Sequence, residues 1–437
     1  MSRFVEDNST VIVFILITIF ALCQNIFFRS IDIELPVMVQ ELPEGWSLPA
    51  IFNIVSKSAI IFMIILLLLN HIINLHLYET ISIIIILSIS VVGLICLALT
   101  WNKTTLIENK YHSTYFLFFT FVIYSCQYTG ILLFLPYIGR YKLVMIRAFF
   151  LGDAISSGSL AGLAYAQNSP KSECIPINQG NQTILIEKKS SLTFSVETYF
   201  FIVSVMMLGS LICFLILSIT KIGQNKTNEN DENKLLIEED NQVEEIENKE
   251  NLMNKRQFNL SNDISYLFAM FWCCFTTYGF LPGLQTYALL PYSPDIYQKT
   301  IIGVEVSYVF AQIFCAIFSK LTVVKYPKLV HIFNLISTIL IVWICIIAKM
   351  SPCPPFINTP LLGGTISGLL YTIVNGLSHI NYIILNVYFQ EEFGKIGLFW
   401  GCVALQIGMT FGALIIFMLT VYFNIYKERF ACVDYQC

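Results

Sequence analysis

The sequence predicts an all-α membrane protein, and three observations carry that assignment. Of 437 residues, 56% are apolar and only 12% are charged, about half the charge of an ordinary soluble domain. Mean hydropathy is +0.70. Apolar runs of bilayer-spanning length recur along the whole chain. The runs are continuous rather than alternating, so helices and not barrel strands must satisfy their backbones in lipid. This composition excludes a disordered chain, a fibre and a single soluble globule, and it makes the bilayer a partner. Net charge is −4, without the basic excess that would mark nucleic acid as a partner.

Eleven spans are expected, at 11–34, 48–70, 79–101, 113–137, 143–167, 196–220, 264–288, 296–320, 327–348, 361–388 and 396–425. The first is read as a retained helix. Glu6 and Asp7 flank it, only Arg3 is basic nearby, and no small-x-small cleavage pattern follows. It carries Arg29, Asp32 and Glu34, and the second span carries Lys57. The fifth carries Arg147 and Asp153, and the eighth Lys299 and Glu305. An ionisable group costs a few kcal/mol at the bilayer centre, so each must face a cavity, a partner or an interface. Arg147 and Lys299 lie near span ends, where long side chains snorkel. For Asp32, Glu34 and Lys57 a structural ion pair and a substrate contact are both open. A proton-carrying role is open for Asp153 and Glu305.

Polar amides form a second set. In the seventh span Gln285 follows Gly279, Pro282 and Gly283, which predict a bent helix with freed carbonyls beside a cavity. In the tenth, Asn375, Ser378 and His379 share one face at helical spacing. In the eleventh, Gln406 accompanies Gly401, Gly408 and Gly412, and glycines let helices approach closely.

Between the sixth and seventh spans, residues 222–258 hold ten acids, five bases and eight Asn in 37 positions. Such a segment cannot bury apolar surface and is expected to be a disordered loop. The expected organisation is a six-helix bundle over 1–221, the acidic loop 222–258, a five-helix bundle over 259–425 and a tail over 426–437. With the amino terminus and this loop inside, 13 Lys and Arg fall inside and 8 outside. That bias orients the chain by the positive-inside rule, with the amino terminus cytoplasmic and the tail extracellular.

Nine of the 13 cysteines lie within spans, while Cys174, Cys353, Cys432 and Cys437 all fall outside. An even number in an oxidising compartment suits one or two disulfides. Connectivity is open, with a preference for Cys353 joined to a tail cysteine. Five glycosylation sequons occur, at Asn8, Asn102, Asn181, Asn225 and Asn259. Asn181, in the middle of an outer loop, is the best acceptor. Phosphate loops, GxSxG, HExxH and zinc-spaced loop cysteines are all absent from the sequence. Neither an enzyme nor a bound metal is therefore expected.

One stretch resembles a known family. Glu34-Leu35-Pro36 followed by QELPEGWSLP at 40–49 resembles the end of helix one and the first outer loop of eukaryotic riboflavin transporters, solute carrier family 52. FLPY at 134–137 and FFLGDAISSGSLAGLAYAQ at 149–167 are similar to that family's fourth and fifth helices. YGFLPGLQTYALLPYSPDIY at 278–297 and FWGCVALQIGMTFGALIIF at 399–417 are similar to its seventh and last. The resemblance implies eleven helices in a major-facilitator-like pair of bundles similar to equilibrative nucleoside transporters. It also implies riboflavin uptake at the plasma membrane, with no cofactor. The sequence departs from the family pattern where Arg29 replaces an amide, Asp32 a Trp, Lys57 a Gln and Asp153 a Glu.

Riboflavin needs an aromatic wall, amide partners for its pyrimidine-like edge and acceptors for its ribityl hydroxyls. The candidate substrate residues are Glu34, Lys57, Tyr128, Asp153, Gln285, Tyr287, Asn375 and Gln406. Two other readings stay open: a transporter of the same fold for a nucleoside or another flavin, and a non-transporting receptor or scaffold.

Overall fold

The structure is a computed structural model. It describes all residues except 1, 74–78, 140, 142, 169–171, 180–181, 190, 221–259, 319–327, 430–431, 434 and 436. The acidic loop 222–258 and the sequons Asn181, Asn225 and Asn259 therefore lie outside the described residues.

Each expected span overlaps helix among the described residues. The first becomes α1 (Ser2–Ala21) and α2 (Cys23–Met38), which meet at Leu22. The second becomes α3 (Leu48–Ser58) and α4 (Ile60–Ile73). Then come α5 (Glu79–Thr100), α6 (Thr114–Gly139), α7 (Leu143–Gln167) and α8 (Val196–Thr220). The second half holds α9 (Leu260–Cys274), α10 (Leu281–Leu289), α11 (Pro294–Phe318), α12 (Leu329–Lys349) and α13 (Pro360–Phe417). Among the described residues, seven helices are long and apolar enough to cross a membrane, or eight if α1 and α2 form one bent span.

Two breaks have local causes. Between α9 and α10 the chain makes one π-helical stretch, Phe275–Phe280, immediately before Pro282, which has no N–H to continue the ladder. This interruption of the regular ladder falls where Gly279, Pro282 and Gly283 predict a bend. In α13 the helix runs on through Gly394, whose φ of 61° lies in the left-handed region, where glycine carries no Cβ penalty. That residue separates the tenth and eleventh expected spans.

Helices before residue 221 pack mostly on one another, α5 against α6 and α8 and α1 against α7. Their core is aromatic: Phe20 meets Phe134 edge-on at 5.5 Å, and Tyr137 lies 4.9 Å from Phe214. After residue 260, α13 packs on α9, on the π-helical stretch, on α11 and on α12. Small residues set the first two of these contacts. A Cβ on Gly408 would lie 2.5 Å from the Phe271 carbonyl, and one on Gly279 would lie 2.6 Å from that of Met409. The seam between the halves is made by α2 and α7 on α11, and by α3 on α10 and α13. Outward faces carry isolated large apolar side chains such as Val205, Ile219, Leu335 and Leu361, as a lipid-facing surface requires.

The connections at one end hold structure that the apolar pattern does not announce. Two antiparallel hairpins form there, β1 (Thr105–Ile107) with β2 (Lys110–His112) and β3 (Ser172–Gln179) with β4 (Gln182–Lys189). Disulfides join Cys174 to Cys432 and Cys353 to Cys437, so Cys353 does pair with a tail cysteine. The tail is also held by backbone contacts: Ser351 Oγ donates to Lys427 O at 2.6 Å, and Arg429 Nη1 to Pro352 O at 2.6 Å. Glu428 reaches the Trp46 backbone N–H. Through Cys174 and Trp46 on one side, and Pro352 and Cys353 on the other, the tail straps the two halves together.

Candidate functional site

Helix α2 places its charges on two faces. Arg29 and Asp32 are three residues apart and share one face, whereas Glu34, two residues beyond Asp32, points away from it. Glu34 is fully buried and accepts a 2.7 Å hydrogen bond from Gln167 Nε2 of α7. Arg29 turns toward the second half, while Asp32 keeps its hydrogen-bond partner in the first.

Arg29 Nη1 donates to both oxygens of Glu305 on α11, at 3.1 and 3.0 Å. The pair is closely shielded, with side-chain exposures of 13% and 5%. The guanidinium carbon lies 4.6 Å from the Tyr308 ring centroid and 5.6 Å from that of Phe28, a cation held against two aromatic rings. Asp32 accepts from Tyr124 Oη at 3.0 Å. The Lys57 ammonium sits 5.9 Å from the centroid of the same Tyr124 ring, and Asp32 is the opposite charge that acts on it. Asp153 of α7, whose charge also acts on Arg29, accepts from Gln312 Nε2 of α11 at 3.1 Å. Two cations and three carboxylates thus converge near the seam, and four of the five come from the first half.

The second half supplies amides and rings. Tyr308 Oη donates to Asn375 Oδ1 at 3.2 Å, and Asn375 Nδ2 donates to Tyr371 O at 2.8 Å. His379 lies 4.7 Å from the Tyr308 ring, and its Nδ1 is 2.9 Å from Tyr278 Oη in the π-helical stretch. Ser378 accepts from Thr277 Oγ1 at 2.7 Å. The face shared by Asn375, Ser378 and His379 therefore looks onto α11 and the π-helical bend. Asn53 Nδ2 of α3 donates to Gly279 O, so a first-half amide takes one carbonyl of that bend.

The structure brings Lys57, Tyr128, Asp153 and Asn375 of the expected residues toward this centre. Tyr128 joins through Tyr124, 6.4 Å away. Gln285 is buried on α10 and Gln406 half-buried on the last helical segment, and neither has a hydrogen-bond partner among the described residues. Tyr287 sits apart, between Trp46 at 5.8 Å and Tyr426 at 5.4 Å, under the tail. Glu34 lies within the first half. The structure gives Arg29 the Glu305 carboxylate, 276 residues away. Tyr124, Tyr278 and Tyr308 have no place in the sequence-based site. The signal for Tyr308 was its position three residues after Glu305, on one helix face.

No group of three or more His, Cys, Asp or Glu among the described residues could hold a metal. The arrangement gathers aromatic rings, amides and compensated charges between two helical units. Such a seam is the usual place for a passenger in a two-bundle transporter.

Comparison with known proteins gives the same class. A bacterial homologue of the human lysosomal transporter Spinster, solved in an inward-facing, occupied conformation, superposes with a TM-score of 0.55. That match covers 94% of this chain and 81% of the homologue at 13% identity, and it shows a shared fold. Residues 9–428 match the family model of solute carrier family 52, riboflavin transporter, and the chain belongs to that family of solute transporters. It is 28% identical to riboflavin transporter member 3-A of Danio rerio, over 94% of this chain and 96% of that protein. It is 24% identical to member 3 of Homo sapiens, over 96% and 97%.

Proposed function

We propose that this chain takes up riboflavin across the plasma membrane by alternating access. Its eleven spans divide six and five around a cytoplasmic 222–258 loop. Its amino terminus is cytoplasmic, its tail is extracellular and Asn181 carries a glycan. The observation that supports the substrate is the family match over residues 9–428.

The chemistry of the seam supports it further. A flat isoalloxazine ring fits among Tyr124, Tyr128, Tyr278 and Tyr308. Its carbonyl-rich edge needs donors, which Lys57 and Asn375 supply at the centre; Gln285 on α10 and Gln406 on the last helical segment are proposed as further donors. Its ribityl hydroxyls need acceptors, which Asp32 and Asp153 supply. Glu34 and Tyr287 act at a distance: Glu34 fastens α2 to α7 and Tyr287 seats the Trp46 loop. The seam is closed at the disulfide end, where Thr286 Oγ1 donates to Trp46 O at 2.8 Å and Gln298 Nε2 to Ala164 O at 3.2 Å. Loading from outside requires these contacts to part.

The test is equilibrium binding of riboflavin to the purified chain, followed by quenching of flavin fluorescence, with nucleosides and other flavins as competitors. Saturable quenching that only flavins relieve is the expected result. Quenching relieved by a nucleoside, or none at all, overturns the substrate assignment.

A further inference from the structure

We propose that Arg29 and Glu305 are the positioning pair of the transport site, and that Arg29 passes from Glu305 to Asp32 when the halves part. The proposal rests on the placement of the passenger at the seam. It adds a role for two residues that do not themselves need to touch the passenger.

Three contacts lead from the pair to the binding groups. Glu305 and Tyr308 are three residues apart on α11, and the guanidinium bonded to Glu305 covers the Tyr308 ring at 4.6 Å. Tyr308 in turn fixes the Asn375 amide through its 3.2 Å hydrogen bond. One cation of the first half thereby sets a ring and an amide of the second. The pair also spans the seam, so any motion that separates α2 from α11 must break it.

Breaking a shielded ion pair is costly when one charge is left uncompensated. Here a second carboxylate is in place. Asp32 lies one turn along α2 from Arg29, on the same face, and travels with it. Its present partners, Tyr124 and Lys57, also belong to the first half. The other carboxylate acting on Arg29 is Asp153, which is engaged with Gln312 across the seam and loses that contact in the same motion. Transfer to Asp32 therefore keeps the guanidinium compensated in both states.

The experiment uses the full chain in cells and in purified form. Glu305→Gln should weaken riboflavin binding about tenfold, as expected for removing one member of a shielded charge pair. Asp32→Asn should lower maximal uptake about tenfold more than it weakens binding, because the parted state loses its compensation. The exchange variant, Arg29→Glu with Glu305→Arg, should restore binding but not uptake, since a carboxylate at 29 cannot pass to Asp32. A readout independent of the passenger is labelling of Ala50→Cys, at the seam of α3 with α10, by an impermeant maleimide on intact cells. Against the parent chain as background, Glu305→Gln should raise that labelling and the exchange variant should return it to the starting level. Unchanged labelling in Glu305→Gln, or full uptake by Asp32→Asn or the exchange variant, overturns the proposal. Failure of the unaltered chain to bind riboflavin would overturn the substrate assignment alone, because labelling still tests the pair.

Discussion

Substitution of Gly412 by Ala tests whether the second half is built on direct backbone contact. A Cβ there would run into the Phe275 carbonyl oxygen, and it would lie 2.9 Å from the Gly279 Cα and 2.9 Å from the Phe280 nitrogen. All three are backbone atoms and cannot rotate away, so α13 and the π-helical stretch must separate. Overpacking of this kind costs about 1–3 kcal/mol. Replacing a helical glycine returns about 0.5–1 kcal/mol of backbone entropy. The net loss is about 1–2 kcal/mol, a shift of roughly 5- to 30-fold in the folding equilibrium. Gly158 provides the control, since a Cβ on it meets nothing within 4 Å. The assay is thermal unfolding of the purified protein in detergent, followed by size-exclusion chromatography. Gly412→Ala should lower the midpoint, and Gly158→Ala should hold or raise it. Because the bend carries Thr277, Tyr278 and the Gly279 carbonyl, Gly412→Ala should also reduce uptake at equal surface level. Equal midpoints for the two variants would refute the reasoning.

Three further outcomes are expected. Peptide mapping without reduction should recover Cys174 linked to Cys432 and Cys353 linked to Cys437, and Cys432→Ser should leave Cys174 reactive to maleimide; any other pairing contradicts the strap. Deletion of 225–250 should leave uptake kinetics nearly unchanged, because a polar tether contributes little to the packed helices; lost uptake with normal surface level would contradict that. Burial at the Gly45–Trp46 turn pushes the Glu428 carboxyl above its ordinary value, only partly offset by the Trp46 N–H. The docked tail then binds a proton more readily than the free tail, so docking should tighten as pH falls through the carboxylate range and loosen as it rises. Limited proteolysis of the tail should follow that pH profile, and Glu428→Gln should flatten it.

Much of the helical framework was legible because a bilayer leaves the backbone little choice. Continuous apolar runs become helices, and Pro282 beside two glycines marks where one of them turns π-helical. The cysteines were legible as a set, since the four outside the spans are the four that pair. What could not be read were contacts that depend on how distant helices meet. The Arg29–Glu305 pair joins residues 276 apart, and nothing local distinguishes Glu305 from Asp32 as the partner of Arg29. Glu34 was expected at the site as a carboxylate within a span, but two residues along a helix from Asp32 reverse the face. The long hairpin Ser172–Lys189 escaped because alternation in IPIN and TILIE is short and sits in a polar loop. Tyr287 has the composition of a binding residue, and only the Trp46 and Tyr426 rings beside it reveal its place under the tail.

The central claim is that the seam between the halves carries riboflavin. Uptake of radiolabelled riboflavin into cells expressing the chain, with surface level measured in parallel, tests it most directly. Saturable uptake, blocked by excess unlabelled riboflavin and not by nucleosides, is the result the account requires. No uptake above background from a chain abundant at the cell surface would contradict it, and would make Arg29, Asp32 and Lys57 the marks of a different passenger.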